Sequence, residues 1–75
     1  MTKQELYLYR LTAELAIGKT IDVVVIATSD ESAFDYAMQE LERAWLPTPV
    51  VHEWFIEEKK RMRRGVGYAL GIERD

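Results

Sequence analysis

The residues with the clearest capacity for chemistry form a basic block near the end of the chain. Residues 59–64 read Lys-Lys-Arg-Met-Arg-Arg and hold five of the ten basic residues, although the net charge of the chain is −3. Residues 1–58 contain four basic and eleven acidic residues, against six and two in residues 59–75. Because charge this asymmetric attracts an oppositely charged partner, the basic end is where the sequence predicts binding.

Three uses of the basic block are compatible with its sequence. A nucleic acid or another polyanion would contact the cations through its phosphates while an aromatic ring, Tyr68 or Trp54, stacks on a base. The more common fate of such a run is a solvated face, or ion pairs within the same chain with Glu57, Glu58 and an acidic helix that we predict to carry Glu31, Asp35 and Glu42. In the third use, the block docks on the acidic helix of another molecule. The candidate anion- or partner-binding residues are Lys59, Lys60, Arg61, Arg63, Arg64 and Tyr68.

The single histidine, His52, is the one imidazole available for a metal, and the chain has no cysteine. A metal site would need His52 together with carboxylates such as Glu53, but neighbours on a strand point to opposite faces. We therefore expect His52 to pack beside Trp54 or Ile56 with its ring nitrogens solvated, and we predict no metal site. A small enzyme would need a pocket around His52, Trp54 and Tyr68.

The serines and glycines lack the spacing of a reactive motif. Ser29 and Ser32 fall at a predicted helix start, where hydroxyls serve as caps, and no serine lies in a glycine-flanked elbow. Gly65, Gly67 and Gly71 resemble part of a nucleotide-binding loop, but no helix follows them, so a final strand explains them better. We predict no catalytic, cofactor-binding or metal-binding residue and no cofactor, and an independent enzyme is disfavoured.

Two strands joined as a hairpin are predicted for the first third of the chain. Leu6–Leu15 alternates apolar and polar residues, the period of a half-buried strand. Thr20–Ala27 is rich in β-branched residues, and Gly18 between the two supplies a turn. Since both faces of the second strand are mostly apolar, we expect it at the centre of the sheet.

One amphipathic helix follows the hairpin. Thr28–Glu31 reads Thr-Ser-Asp-Glu, which fits a capping box with Thr28 as the N-cap. The helix must end by Leu46, because Pro47 disfavours helical geometry in the residue before it. Apolar residues spaced three and four apart predict one buried stripe, made of Phe34, Ala37, Met38, Leu41 and Trp45.

The last third of the chain predicts two more strands. Val50–Glu58 alternates, with its better apolar face on the side of Trp54, and Val66–Ile72 forms a final strand. For residues 57–64 we favour a short helical turn or bend, the alternative being a continued strand whose Lys and Arg guard a sheet edge. The predicted fold class is α+β: a two-layer β-β-α-β-β domain, mainly an antiparallel sheet with one helix on one face, spanning residues 1–75.

A helix on one face leaves the other face of the sheet open. Exposed apolar side chains there would mark an interface, and a symmetric homodimer covers the patch with its own copy. We therefore predict a small protein-interaction module that self-associates through this face, with nucleic-acid or polyanion binding as the alternative. Without a secretory signal or an apolar run long enough for a span, we expect a cytosolic protein with no membrane contact. The apolar residues expected on the open face are Leu8, Val24, Ile26, Val51 and Phe55.

Several short segments resemble a family of small uncharacterised proteins from bacilli. They are Tyr7–Leu11 (YLYRL), Ala27–Ala33 (ATSDESA), Glu40–Arg43 (ELER), Glu58–Lys60 (EKK) and Gly65–Tyr68 (GVGY). The resemblance implies a bacterial cytosolic protein that is a domain in its own right. It brings no assigned activity, cofactor or catalytic residue to this chain.

Overall fold

The structure is a computed structural model that describes residues 5–69. These residues form β1 (Tyr7–Leu15), β2 (Thr20–Ala27), α1 (Asp30–Ala44) and β3 (Val51–Arg61). The three strands make one antiparallel sheet in the order β2-β1-β3. The α+β class is confirmed, but the fourth strand is wrong for residues 66–69, which are not in a strand, while the rest of that prediction lies outside the described residues.

The central strand is β1, so the prediction that β2 lies at the centre was wrong. On one face, β1 buries Tyr9, Leu11 and Ala13 completely and Leu15 almost completely. It pairs with β2 from Tyr7 to Glu14 and with β3 along its whole length. The apolar second face of β2 had suggested burial on both sides, but that face is open. β2 is therefore an edge strand with an apolar surface.

Helix α1 begins one residue later than predicted. Ser29, not Thr28, is the N-cap: its backbone is extended and its hydroxyl oxygen accepts a hydrogen bond from the Ser32 amide at 3.1 Å. Either hydroxyl is chemically able to cap, and the sequence pattern alone does not choose between neighbours. The helix ends at Ala44, ahead of Pro47 as predicted.

The helix packs against β2 far more than against β1. Its fully buried residues are Ala33, Ala37 and Leu41, and the small alanines let the helix approach the sheet closely. Burial of Trp45 was predicted wrongly, since its side chain is 46% exposed. Trp45 is the C-cap and its extended backbone takes it off the helical stripe.

Residues 57–61 continue β3, so the short helical turn was wrong and the alternative, a longer strand, is observed. Tyr7 to Arg10 of β1 pair with Arg61 to Glu58, and this pairing outweighs the helix preference of the lysines. The register shifts twice, leaving Glu57 and His52 as extra residues in β-bulges. The chain then turns at Gly65, whose φ of +88° is a conformation that favours glycine.

The open face of the sheet follows from the strand register. Rows of cross-strand neighbours alternate between the face beneath α1 and the opposite face. Leu8, Val24, Ile26 and Phe55 lie on the open face as predicted, but Val51 is opposite the buried Leu15 on the helix side. The bulge at His52 moves Val51 there, because one extra residue reverses the alternation. In order along the sheet, the open-face rows are Ile26-Leu8-Lys60, Val24-Arg10-Glu58, Asp22-Thr12-Phe55 and Thr20-Glu14-Glu53.

Candidate functional site

Lys59, the first residue of the basic block, lies in a polar cluster at the start of α1. Its Nζ donates a hydrogen bond to Asp30 Oδ1 at 3.0 Å, and the Tyr9 hydroxyl donates to the same oxygen at 2.8 Å. The Lys59 ammonium also lies 4.6 Å from the ring centre of Tyr7 and 5.5 Å from that of Tyr9. This arrangement clamps the first turn of α1 to both β1 and β3.

The electrostatics of this clamp keep each group in its usual ionisation state near neutral pH. The hydrogen bonds from Tyr9 and Lys59 lower the pKa of Asp30. Burial, followed by the hydrogen bond to Asp30, raises the pKa of Tyr9, and the hydrogen bond to Asp30 raises the pKa of Lys59. The carboxylate stays ionised, the phenol neutral and the amine charged, which suits a structural contact rather than proton transfer.

Lys60, on the opposite face, holds the segment after β3 against the sheet. Its Nζ donates to the Gly67 carbonyl at 2.8 Å and lies 4.3 Å from the ring centre of Tyr68. The Tyr68 hydroxyl donates to the Leu8 carbonyl at 2.7 Å, and burial raises the pKa of that phenol. Residues 62–69 therefore fold back over the Lys60 end of the open face.

The basic block does not form one continuous cationic surface. Arg61 pairs with Glu5 at 3.1 Å, and the register puts Lys59 and Arg61 on the helix side but Lys60 on the open face. Arg63 and Arg64 are exposed and form no ion pair within residues 5–69. Three of the five cations thus have partners within the molecule, but only Lys59 contacts the acidic helix, and within residues 5–69 none of the five pairs with Glu57 or Glu58. Binding of an anion or partner by the block stays a prediction.

The centre of the open face is a compact charge network around Arg10. Arg10 Nη1 lies 3.4 Å from Asp22 Oδ2, while Arg10 Nε lies 3.3 Å from Glu58 Oε1, within ion-pair distance but without hydrogen-bond alignment. The Thr12 hydroxyl donates to Asp22 Oδ1 at 2.9 Å. One guanidinium thus faces two carboxylates, and the network keeps a net charge of −1.

Apolar side chains flank the Arg10 network. The exposed fractions are 47% for Ile26, 37% for Val24 and 40% for Phe55. Ile26 and Val24 continue into a groove of about 520 Å³ along β2, bounded on the helix side by Tyr36 and Arg43. The groove exists because α1 lies over an edge strand, so apolar surface extends around the β2 edge.

A family model matches most of this chain. The family is described as a protein of unknown function, DUF3906, and the match covers residues 6–70. The chain belongs to this family. Membership in DUF3906 confirms the resemblance to an uncharacterised family, while the origin in bacilli stays an expectation. No curated protein and no solved structure matches the chain.

The DUF3906 chain does not bring together the residues that a small enzyme would have needed. Trp54 packs on the core from the helix side, and Tyr68 lies by Leu8 at the far end of the sheet from His52. His52 is exposed and does not pack on the Trp54 side as expected, because it is the extra residue of a bulge. No helix of the described part of the chain is long and apolar enough to cross a membrane.

Sequence reasoning missed the clamp of Lys59, Asp30 and Tyr9. The three residues come from β3, α1 and β1, so their meeting depends on strand order and register. One local signal was present: Tyr7 and Tyr9 stand two apart on one strand face, a surface on which a cross-strand lysine can lie.

Proposed function

We propose that this protein is a cytosolic interaction module that forms a homodimer through the open sheet face. The observation that carries the proposal is the exposure of Val24, Ile26 and Phe55 on one face of a small domain. Apolar surface gathered on one face costs free energy in water and is typical of an interface. The folded-back segment 62–69 covers only the Lys60 end of that face.

The charges on the open face favour a second copy as the occupant. Lys60 lies in the first row of the face, whereas Glu14 and Glu53 are paired across strands in the last row. Two faces packed about a two-fold axis with antiparallel strands place the end that carries Lys60 and the basic segment after it over the acidic end of the other copy, while Lys60 keeps its hydrogen bond to Gly67.

The size of the face indicates a weak dimer. Three strands about 4.8 Å apart and eight residues with a rise of about 3.3 Å make a surface of about 14 by 26 Å. Two such surfaces bury roughly 700 Å² in total, below the roughly 1,200–2,000 Å² of stable specific interfaces, so we expect a weak dimer with a dissociation constant in the upper micromolar range.

Analytical ultracentrifugation tests the homodimer. Between about 10 and 500 μM, the weight-average mass of the wild type should rise towards twice the monomer mass. Ile26→Arg, on the open face, should remain monomeric. Ile17→Arg is the matched control, because Ile17 is 74% exposed in the turn after β1 and away from the face. Wild type that stays monomeric at the highest concentration, or equal effects of both variants, would reject the proposal.

The alternative function, nucleic-acid or polyanion binding, rests on Arg63 and Arg64, which are exposed and without ion pairs in the described part of the chain. It is the weaker proposal because Lys59, Lys60 and Arg61 are engaged elsewhere. Retention on heparin that falls steeply with salt and is lost in Arg63→Glu with Arg64→Glu would support it. Absence of retention at low salt would exclude it.

A further inference from the structure

We infer that Glu14, His52 and Glu53 form a binding site for a divalent transition-metal ion, with Zn²⁺ as the representative. One ligand atom from each residue, an imidazole nitrogen and two carboxylate oxygens, lies within 4.8 Å of the other two. Glu14 is on β1 and the other two residues are on β3, at the end of the sheet beside the β1–β2 turn. All three ligands come from one chain, so the inference does not rest on the proposed dimer.

The β-bulge in β3 makes this grouping possible. On a regular strand His52 and Glu53 would point to opposite faces, which is why the sequence disfavoured a metal site. In the structure Glu53 pairs with Glu14 and Val51 pairs with Leu15, leaving His52 as the extra residue. A bulge re-aims a side chain, and here an imidazole nitrogen lies within 4.8 Å of a carboxylate oxygen of each glutamate.

The two carboxylates form an uncompensated pair. Glu14 and Glu53 are directly opposite each other on adjacent strands, where like charges destabilise the sheet. Neither forms an ion pair with a basic side chain among residues 5–69, whereas Asp22 and Glu58 on the same face are both held by Arg10. A bound dication would cancel both charges and use the imidazole as its third ligand.

The donor set selects the class of metal. An imidazole nitrogen favours ions such as Zn²⁺ over Mg²⁺ or Ca²⁺, which prefer oxygen ligands only. Zinc bonds of about 2.0–2.2 Å require the three atoms to draw closer, which rotation of these surface side chains supplies. His52 and Glu14 also border an open cleft of about 340 Å³, which leaves room for water to complete the coordination.

Isothermal titration of the 75-residue chain, dilute enough to be monomeric, tests the site with Zn²⁺ and with Mg²⁺. Zn²⁺ should saturate one site per chain and shift the ring ¹⁵N resonances of His52, and Mg²⁺ should bind much more weakly. Since losing even an outer-shell partner lowers metal affinity about 10- to 100-fold, His52→Ala should weaken Zn²⁺ binding by at least about tenfold. Glu14→Gln with Glu53→Gln should do the same.

Glu57→Gln is the matched control, because Glu57 is an exposed carboxylate and the extra residue of the other bulge in β3. It should leave Zn²⁺ affinity unchanged. The inference is overturned if the wild type shows no saturable Zn²⁺ binding, if His52→Ala binds as tightly as the wild type, or if Mg²⁺ binds equally well. Should His52→Ala fail to fold, His52→Gln gives the same comparison with a polar side chain of similar size.

Discussion

The two edges of the sheet are protected in different ways. β3 is the longer edge, and it has two bulges and a run of charged residues from Glu57 to Arg61. β2 pairs with β1 without a register shift and carries a single charged residue, Asp22. A flat, apolar edge strand can pair with a strand of another chain. The bulges and charges of β3 discourage such pairing, whereas the sequence of β2 has no comparable feature.

The protection of β2 comes from outside the strand. Helix α1 packs mainly on β2, so the side of this edge that faces the core is covered. The other side carries Val24 and Ile26, which stay exposed in the single chain. A partner packed on this face would remove the exposed side chains of Val24 and Ile26 from water, and this supports the proposed dimer. The β3 edge is instead protected by its own bulges and charged residues, and it carries polar groups that include His52 and the start of the basic block.

The largest expected loss of stability comes from a substitution that weakens the packing of α1 on β2. Leu41→Ala removes a fully buried side chain between α1 and the sheet, and we expect a loss of about 3 kcal/mol in the free energy of unfolding. Ile56→Ala on β3 is the comparison, because Ile56 is only partly buried and should cost less than about 2 kcal/mol. Urea unfolding measures both, and equal losses would show that the two edges depend equally on the core.

A smaller loss of stability is expected when the clamp of Lys59, Asp30 and Tyr9, which joins β3 to the start of α1, is removed. The hydrogen bonds from Tyr9 and Lys59 lower the pKa of Asp30 below its ordinary value of 3.8. This carboxylate therefore stabilises the fold above that pH, and the contribution is lost as the pH falls through the lower folded-state value. Asp30→Asn should be less stable than the wild type at pH 7 but should lose less stability between about pH 5 and pH 2.

The control for the clamp is Asp35→Asn, which alters an exposed acidic residue of the same helix that has no ion pair within residues 5–69. Its unfolding free energy should keep the acid dependence of the wild type. If Asp30→Asn also keeps that dependence, the contact with Tyr9 and Lys59 does not stabilise the fold.

Local sequence patterns predicted those elements whose shape depends on near neighbours. The alternation in β1, the β-branched run of β2 and the proline that follows α1 fix the type and the approximate bounds of these elements. The bounds of Thr20–Ala27 agree with the prediction, and the hairpin turn uses Gly18 at a φ of +87°. In each case the determining residues lie within a few positions of one another.

Features that depend on distant pairing were not predictable in this way. The central position of β1 and the extension of β3 through Lys59 and Lys60 arise from contacts between the two ends of the chain. Lysine and arginine favour helices locally, so residues 57–61 were wrongly predicted as a turn or bend. The bulge at His52 likewise depends on the register with β1, and with it the grouping of His52 with Glu14 and Glu53.

The smallest expected effect on stability concerns residues 62–69, the segment that folds back on the sheet after β3. Tyr68→Phe removes the hydrogen bond to the Leu8 carbonyl but keeps the ring beneath Lys60, so global stability should fall by no more than about 1 kcal/mol. Residues 62–69 should nevertheless open more often, and trypsin should cleave faster after Arg63 and Arg64. Tyr36→Phe is the control, because Tyr36 is a half-exposed tyrosine on α1, away from this segment. Cleavage at an unchanged rate in Tyr68→Phe would mean that the contact of Lys60 with Gly67 holds the segment without the phenol.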